Sequence, residues 1–454
     1  MTAPLAPANP AEAMVWKAQV WTWPLYFLGA LYVAGPVLGW TLAMLAALSL
    51  YLGPAIRPDL RATGPVPGLV LVWFAGMAVL LIALWVGHLD WGLGTGATIK
   101  STIGWMKGWA LIPLFLLAGA VLPVRREILV RGQCVVGLWT ACLTPLLFLA
   151  PILHLPEKIF TSPLKAIGGP GPEYFSVYLF TYDPASWTPR WQFYAPWSPF
   201  AALLGVIMVV FALEEKERRW RIAGLAGGLA MIVLSKSRMG MIGLVACTIG
   251  PRMVPLVARS AVWMTLAGLA ASLAVLGPTL ARLMGDAVAA FKGARADSTR
   301  VRETLQRIAG ERWRAEAFWF GHGTVAPGGH VVEHMPIGSH HTWWGLLFVK
   351  GIVGFTGLLV PMVLQTLNAL LEAGRGAAGR LPLGVMMTIL LLSFGENLEI
   401  EAYMLWPALM ALGVNLREQA RRARPPECQP PQRDRGAEAP LPASSGSGGP
   451  LSAG

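Results

Sequence analysis

Long apolar runs, separated by short polar stretches, repeat along almost the whole chain. Because an apolar run of about 20 residues crosses a hydrocarbon core about 30 Å thick, the pattern predicts a polytopic membrane protein. The runs are continuous and do not alternate with polar residues, which favours transmembrane α-helices over a β-barrel. The predicted spans are residues 18–53, 66–87, 105–122, 132–153, 198–213, 222–234, 239–250, 261–280, 342–371, 381–394 and 402–416.

The number of spans depends on the first apolar run, residues 18–53. Gly35 and Pro36 interrupt this run, so it forms either one kinked helix or two short ones. The predicted fold is therefore all-α, with about 12 transmembrane helices (11 or 12) and one large outer loop at residues 281–341. The transmembrane domain is expected to cover residues 1–416.

The composition agrees with a membrane protein. Hydrophobic residues make up 55% of the 454 residues and charged residues only 13%, whereas about a quarter of a soluble domain is charged. The 20 tryptophans fit the belts that this residue forms at membrane interfaces. The four cysteines lie in apolar segments or in the C-terminal tail, so no pair is placed to cross-link an exposed loop. No basic region precedes the first apolar run, and a cleaved signal peptide is not expected.

Arginine clusters indicate which loops face the cytoplasm, where positively charged loops are retained. Counting spans places all of the arginine-rich segments on that side; they are the loops at 53–65, 123–131, 214–221, 251–260 and 372–380 and the tail. The remaining loops then face outward, which is the periplasm of a Gram-negative cell. They are the loops at 88–104, 154–197, 235–238, 281–341 and 395–401.

The C-terminal segment, residues 417–454, starts with basic residues and continues rich in Pro, Gly and Ser. This composition predicts a disordered cytoplasmic tail, whose basic start anchors the topology or touches anionic membrane lipids. The formal net charge of +12 would suggest nucleic-acid binding in a soluble protein. Here the charge lies largely in short loops between spans, and no recognition module is visible, so no nucleic-acid partner is expected.

The outer loop at residues 281–341 is strongly basic, against the sorting rule that governs the other loops. Its cations are Arg282, Lys292, Arg295, Arg300, Arg302, Arg307, Arg312 and Arg314, and it holds five of the seven histidines. Arg238, at the tip of the outer turn 235–238, breaks the rule as well. Because the planar guanidinium group suits a phosphate or carboxylate, these arginines indicate an anionic ligand. Salt bridges to the glutamates of the loop are the alternative for most single arginines.

Ser339, His340 and His341 stand where this loop returns to the membrane. A neutral imidazole accepts a proton from a hydroxyl group near physiological pH, so the position favours a general base. A metal site is the competing hypothesis, since His330 and His334 are four residues apart. Glycines and a proline bracket that pair and no metal-binding motif adjoins it, so no metal and no other cofactor are predicted. The remaining loop histidine, His322, is interpreted as solvated, and so is His330.

Six short motifs follow one another between residues 220 and 415. They are Ser235-Lys236-Ser237-Arg238, Ser298-Thr299-Arg300, Trp313, Gly321-His322-Gly323, Ser339-His340 and Gly351-Ile352-Val353-Gly354. In this order they resemble the O-antigen ligase and Wzy-type O-antigen polymerase superfamily, and the ligases more closely. Two positions depart from the family pattern. His341 stands where asparagine is usual, and Lys350 where a neutral or acidic residue is usual.

The resemblance implies a glycosyltransferase of the bacterial inner membrane whose active site faces the periplasm. Its donor would be a glycan on polyprenyl (undecaprenyl) diphosphate. Its acceptor would be lipid A–core oligosaccharide, in lipopolysaccharide biosynthesis. A polymerase that joins lipid-linked repeat units and a protein O-oligosaccharyltransferase are the alternatives within the family.

Particular residues take roles in this scheme. Arg238 and Arg300 would bind the diphosphate in place of a metal, because fixed cations stabilise the charge that grows on a leaving group. His340 would deprotonate the acceptor hydroxyl, a contribution of about 10²–10⁴-fold. Secondary candidates for the site are His341, Arg302, Lys236 and His334.

Three further features bear on the site. A lysine at position 350 predicts that residues 342–350 lie at the membrane interface and that the span begins near Gly351. The acidic turn with Glu396, Glu399 and Glu401 is predicted to pair with the loop arginines. Aromatic residues of the loop at 154–197 are interpreted as interfacial anchors, with stacking on sugars as the alternative; they are Tyr174, Tyr178, Tyr182, Trp187 and Trp191.

A transporter or flippase of lipid-linked glycans is the alternative outside enzymes. Transporters place ionisable groups near the membrane midplane, on broken helices. Here the apolar spans carry few charges and the polar groups collect at one face, which favours chemistry at the membrane surface. A structural scaffold would not require Arg238 and His340 on the same face.

Overall fold

A computed structural model shows a mostly helical chain. It describes residues 5–52, 61–183, 186–257, 296–332, 334–339 and 341–423. Seven of the helices in these ranges are long and apolar enough to cross a membrane, which indicates a multi-pass membrane protein. The predicted span 261–280, loop residues 281–295, His340 and the tail beyond residue 423 lie outside the described residues.

The helices are numbered in chain order over the described residues. They are α1 (Pro10–Val20), α2 (Thr22–Phe27), α3 (Leu31–Leu52), α4 (Gly68–Asp90), α5 (Thr95–Lys107), α6 (Leu111–Val121), α7 (Arg126–Leu149), α8 (Ser198–Ala212), α9 (Arg218–Leu234), α10 (Arg238–Val257), α11 (Ala296–Glu316), α12 (Thr342–Arg375), α13 (Arg380–Gly395), α14 (Leu398–Glu401) and α15 (Trp406–Arg422). The strands are β1 (Lys158–Thr161), β2 (Ser176–Tyr178), β3 (Thr181–Tyr182) and β4 (Pro189–Arg190). They form two antiparallel pairs, β1 with β2 and β3 with β4.

The first apolar run contains one long helix, α3, preceded by the short helices α1 and α2. Pro36 lies inside α3, so of the two predicted alternatives the chain forms one helix through Gly35 and Pro36 and does not divide there into two short ones. A proline removes one backbone hydrogen bond and more often bends a membrane helix than ends it. The chain breaks earlier, between α2 and α3, where Gly29 has a φ of +62°.

The last helix, α15, continues to Arg422, beyond residue 416, where the sequence predicts the tail to begin. Arg417 is buried at 7% exposure. Its guanidinium group donates to the backbone carbonyls of Leu122 and Val124. The carbonyls of a helix end and of the extended segment after it have no intrahelical donors, and this arginine satisfies two of them.

The basic loops contact one another at one end of the helices, which we call the inner end. Arg126 pairs with Glu214 (2.9 Å), Arg131 with Glu215 (2.8 Å) and Arg422 with Glu372 (3.2 Å). The first two pairs join loop 123–131 to loop 214–221, and the third joins loop 372–380 to the last helix. Arg126 also donates to the carbonyl of Ala378 (3.2 Å) in loop 372–380. The sequence assigns all of these segments to one side, and the described parts of them do lie together.

The other loops meet at the opposite end, which we call the outer end. Arg190 of β4 donates from Nε to the carbonyl of Ser235 (3.1 Å), which joins the loop at 154–197 to the turn at 235–238. The loop at 88–104 reaches the loop after α11, where the rings of Trp91 and His322 lie 4.8 Å apart. The described outer loops therefore form one surface.

Two aromatic residues of the loop at 154–197 belong to the interior and not to an interfacial belt. Trp191 is 3% exposed; its Nε1 donates to the carbonyl of Leu147 (2.7 Å). Tyr174 is 5% exposed, with its ring against Tyr32. The interpretation as membrane anchors is wrong for these two. Trp187 in contrast is 77% exposed.

Helix α12 is interrupted at Gly351, where φ is +62° and ψ is −166°. A Cβ at this position would lie 2.2 Å from the carbonyl oxygen of Trp319, so only glycine fits. The segment before the break, residues 342–350, is called the outer half-helix. The charge of Lys350 predicts that the span begins near Gly351, and the helix is interrupted at that residue. The location of residues 342–350 at the membrane interface stays a prediction.

The chain segment after α11 fills the break. The amides of Ile352 and Val353 donate to the carbonyls of Phe318 (3.0 Å) and Trp319 (3.2 Å). In the opposite direction, the amides of His322 and Gly323 donate to carbonyls at the end of the outer half-helix, at 2.8 and 2.9 Å. Backbone groups released by the interruption are thereby hydrogen-bonded again, as buried groups require.

Candidate functional site at the outer end

The acidic turn after α13, residues 395–401, is hydrogen-bonded to the start of α12 at the outer end. The carbonyl of Glu396 accepts from the amide (3.0 Å) and the hydroxyl (2.7 Å) of Thr342. The hydroxyl of Thr342 in turn accepts from the amide of Leu398 (2.9 Å). These bonds fix the start of α12 against the acidic turn, although the two segments are 54 residues apart.

Arg302 brings a cation from α11 to this point. Its Nη1 donates to the carbonyl of Gly395 (3.2 Å), and its Nη2 lies 3.7 Å from Oε1 of Glu396. The predicted pairing of the acidic turn with loop arginines is therefore confirmed. The side chain of Arg302 remains 42% exposed, so it can also face a ligand.

Glu396 is a buried carboxyl group, 6% exposed. Burial raises its pKa to about 7, while the charges of Arg302 and Arg190 act in the opposite direction. Burial and the neighbouring Glu396 also raise the pKa of Glu401, well above its ordinary value. The outer end thus holds two buried carboxyl groups beside two arginines. Reasoning from sequence did not assign either Glu396 or Arg190 to the site.

His341 caps the outer half-helix. Its Nδ1 accepts from the amides of Trp343 (3.1 Å) and Trp344 (3.4 Å). Burial, with a smaller effect of Arg302, lowers the pKa of His341 to about 4, so the ring is neutral at physiological pH. Since Nδ1 is the acceptor, the proton of the neutral ring is on Nε2. In this state His341 is a hydrogen-bond donor through Nε2.

His340, the predicted base, lies outside the described residues. Of the described neighbours, Ser339 donates from its hydroxyl to the carbonyl of Pro336 (2.7 Å), and the ring of His341 lies 6.2 Å from that of Phe394. The role of general base stays a prediction for His340. The tautomer of His341 does not suit it to the same role.

The turn that carries Lys236 and Arg238 lies beside the acidic turn. Ser237 accepts from the amide of Gly240 (3.4 Å) at the start of α10, which sets the position of Arg238 in the first helical turn. The next residue, Met239, packs on Gly395, where a Cβ would lie 2.1 Å from the methionine Cε. Arg238 is half-buried and Lys236 is exposed. The structure therefore brings this turn to the same surface as Arg302.

Arg300 lies on the exposed part of α11. Residues two apart on an α-helix point about 200° away from each other, so Arg300 and Arg302 face different directions. The buried face of α11 carries Val301, Leu305 and Ala309. Of the two candidate arginines on this helix, the structure brings Arg302 to the acidic turn and to His341.

The histidines of the remaining loop fall into two groups. His330 and His334 are neighbours, with 3.2 Å between Nδ1 of the first and Nε2 of the second. No group of three His, Cys, Asp or Glu suited to a metal ion occurs in the part of the chain that the structure describes. His322 is not solvated as expected but 6% exposed. It lies between the carbonyl of Phe348 (3.0 Å) and the carboxylate of Glu316 (2.8 Å).

Two concave surfaces meet at the start of α12. One is a shallow cationic cleft, lined by Arg302, Gln306, His341 and Trp344 among others. The other is an apolar groove of about 1170 Å³ between α12 and α13. The groove begins at His341 and Trp344 and continues along α12 to Leu367. These two residues line both surfaces.

The arrangement suits an amphiphile with an anionic head and a long apolar chain. Arginine and a neutral imidazole N–H face the head, and aromatic and aliphatic side chains face the chain. No protein-family model matches this sequence, and no curated protein is significantly similar to it.

Proposed function

We propose that this protein is a glycosyltransferase of the O-antigen ligase type. It would transfer a glycan from a polyprenyl diphosphate carrier to lipid A–core oligosaccharide on the outer side of a bacterial inner membrane. The observation that carries the proposal is the meeting of the cationic cleft and the apolar groove at His341 and Trp344. A polyprenyl diphosphate has the same two parts, in the same order.

The size of the groove supports this donor. After the interruption at Gly351, its lining on α12 extends from Phe355 to Leu367, which at 1.5 Å per residue corresponds to about 18 Å. This is more than half of the thickness of a hydrocarbon core, about 30 Å. A polyprenyl chain in the groove would lie along the helix within the apolar layer, and its diphosphate would lie beside Arg302.

The chemistry follows from the charges in the cleft. The acceptor hydroxyl gives its proton to His340, and its oxygen forms a bond to the anomeric carbon of the donor sugar. The bond between that carbon and the diphosphate oxygen breaks, and polyprenyl diphosphate leaves with the electron pair. Arg302, with Arg238 from the neighbouring turn as a second cation, would stabilise the charge on the leaving oxygen. The N–H at Nε2 of His341 is a further donor for a phosphate oxygen.

A transfer assay with purified protein in nanodiscs, polyprenyl-diphosphate glycan and lipid A–core tests the proposal. Arg302→Ala should lower the transfer rate about 10²–10³-fold, the effect of removing one donor to a developing anion. His340→Ala should lower the transfer rate about 10²–10⁴-fold, the contribution of a general base, and leave donor binding unchanged. EDTA should have no effect, because the arginines replace a metal ion.

Arg307→Ala is the matched control for Arg302→Ala. Arg307 lies on the same helix, is exposed, and pairs with Glu311 at 3.0 Å, and exposed pairs of this kind contribute little. We expect its activity within about threefold of the wild type. Equal activity of the two variants would contradict the role of the cationic cleft. Loss of transfer in EDTA would contradict the metal-independent mechanism.

A further inference from the structure

A second cleft opens at the outer end, on a neighbouring face of the outer half-helix. It has a volume of about 630 Å³ and is lined by Trp109, Thr342, Lys350, Asn397 and Glu399 among others. The described residues of the catalytic scheme do not line it. We call it the polar cleft.

Two glycines separate the polar cleft from the cationic cleft. Gly338 and Gly345 line both clefts. A Cβ on Gly345 would lie 2.6 Å from the carbonyl oxygen of Gly338. Only backbone atoms of these two glycines therefore separate the clefts at this point. His341 lines the cationic cleft and Thr342 the polar cleft. Ligands in the two clefts would therefore meet near residues 338–342.

Lys350 is the buried cation of the polar cleft. It is 2% exposed, and its Nζ donates to Oε2 of Glu399 (3.4 Å) and lies 5.8 Å from the ring centre of Trp109. An ammonium group carries three donors, and no other hydrogen bond of this group occurs among the described residues. The side chain of Glu399 is 24% exposed, so the carboxylate of the pair is reachable from the cleft.

Two more polar groups complete the wall. The indole N–H of Trp109 has no acceptor among the described residues, although the side chain is only 1% exposed. The amide oxygen of Asn397 accepts from the backbone of Glu399 (3.0 Å), which leaves its NH₂ group for other partners. The opposite charges of Lys350 and Glu399 compensate each other, so the cleft suits a neutral ligand that both donates and accepts hydrogen bonds.

We propose that the polar cleft binds the terminal sugar of the acceptor glycan, through hydroxyl groups that bridge Lys350 and Glu399. A sugar hydroxyl is both donor and acceptor and therefore fits the two members of the pair at once. The inference rests on the proposed function, because it makes this cleft the acceptor side of a transferase whose donor occupies the cationic cleft. One acceptor hydroxyl would then point across the Gly338–Gly345 wall toward the donor.

The double variant Lys350→Met with Glu399→Gln tests the proposal. It removes both charges together, so neither partner is left buried and unpaired. The acceptor KM in the transfer assay should rise about 10- to 100-fold, the factor that hydrogen bonds to charged groups provide, while the donor KM stays unchanged. Lys158→Met is the control, since Lys158 is exposed on β1 at the outer end and lines neither cleft.

Equilibrium binding of deacylated lipid A–core oligosaccharide, measured by calorimetry on the protein in nanodiscs without donor, separates this inference from the proposed function. Binding to the wild type that weakens at least tenfold in the double variant supports the polar cleft, even if no transfer is found. In that case only the proposed function fails. Equal binding by both proteins, no binding by the wild type, or an increase in donor KM alone would each overturn the inference.

Discussion

The side chain of His341 caps the N-terminus of α12, where the outer loop ends and the helix begins. The Nδ1 atom of His341 accepts two backbone amides of α12, which are among the donors that a helix start leaves unpaired. An asparagine side chain offers an oxygen at a similar distance from its Cα and is one of the preferred residues at this position. The family pattern described above has asparagine here. The histidine of this chain caps the helix as an asparagine could.

We expect His341→Asn to keep most of the stability and activity of the wild type. His341→Ala should lose about 1 kcal/mol of unfolding free energy, because the cap is lost. The pH dependence gives a second check. With a folded pKa of about 4, below the ordinary value, the stability that His341 contributes is complete above its unfolded pKa. It decreases as pH falls from about 6.5 toward 4, and this decrease should be absent in His341→Asn.

Thermal unfolding in detergent between pH 4 and 8 measures both effects. Equal unfolding temperatures for the asparagine and alanine variants would show that capping is not the role of residue 341.

The buried carboxyl group of Glu396 gives the opposite dependence on pH. Its pKa is raised to about 7, so the folded protein holds a proton that the unfolded chain releases near pH 4.5. Stability therefore decreases as pH rises from about 4.5 through 7. Glu396→Gln should resemble the wild type at pH 5. At pH 8 it should be more stable by about 3 kcal/mol, since each pKa unit corresponds to about 1.4 kcal/mol.

Unfolding of the two proteins at pH 5 and pH 8 tests this expectation. Glu311→Gln is the control. Glu311 is exposed on α11, so this variant should show no such dependence on pH. A constant difference between Glu396→Gln and the wild type across this range would indicate that Arg302 keeps Glu396 ionised throughout.

Single residues also show what sequence reasoning misses. The sequence shows that residue 302 is an arginine but not which way its side chain points. Arg300 and Arg302 point in different directions because α11 is a helix with Val301 and Leu305 on its buried side. Glu396 and Arg190 come to the site through contacts between distant segments of the chain. Neither stands in a local motif. For Glu396 the charge pattern predicted only a pairing with the loop arginines, and for Arg190 it gave no signal beyond an outer location.

Among elements, the outer half-helix and the Gly321-His322-Gly323 segment pack closely against each other, backbone to backbone. Gly321 and Gly323 have φ values of +69° and +73°, and a Cβ on Gly321 would lie 2.4 Å from the carbonyl carbon of Val349. The two glycines let this segment approach the interrupted helix and bond to it. The spacing of the motif is thus explained by backbone packing, and His322 between the glycines is held inside.

Gly351→Ala should be strongly destabilising, by about 3 kcal/mol or more, because it combines a strained backbone with a clash against Trp319. Gly96→Ala is the matched control, since a Cβ there meets nothing within 4 Å and alanine favours the helix. The folded fraction after detergent extraction and the unfolding temperature measure the contrast. A well-folded Gly351→Ala protein would contradict the interruption of α12.

For the whole molecule, the charge rule and the hydropathy pattern predicted much of the architecture. Ten of the predicted spans fall on described helices, and seven of these are long and apolar enough to cross a membrane. The described parts of the basic loops at 123–131, 214–221 and 372–380 lie together at one end. The short helices α1 and α2, the hairpins of the loop at 154–197 and the buried aromatics there were not predicted. These features depend on which apolar surfaces meet in three dimensions, and such contacts leave no period in the sequence.

Which end faces the cytoplasm is a prediction of the positive-inside rule. In a protein with Cys142→Ser and Cys428→Ser, a cysteine introduced as Lys158→Cys should react with a membrane-impermeant maleimide in intact spheroplasts. Lys216→Cys, at an inner-end lysine that is 85% exposed, should react only after permeabilisation. The reverse order would invert the topology and place the candidate site in the cytoplasm.

The interruption at Gly351 also explains why a buried lysine is tolerated at position 350. A helix carries a partial positive charge at its first turn and a partial negative charge at its last. Because α12 is divided, the outer half-helix has a dipole of its own, with the negative end at Lys350 and the positive end at His341. The ammonium group of Lys350 lies at the negative pole, which attracts it. An anionic head in the cationic cleft would lie at the positive pole. A continuous α12 would keep the positive pole at His341 but would place its negative pole near Arg375, far from Lys350.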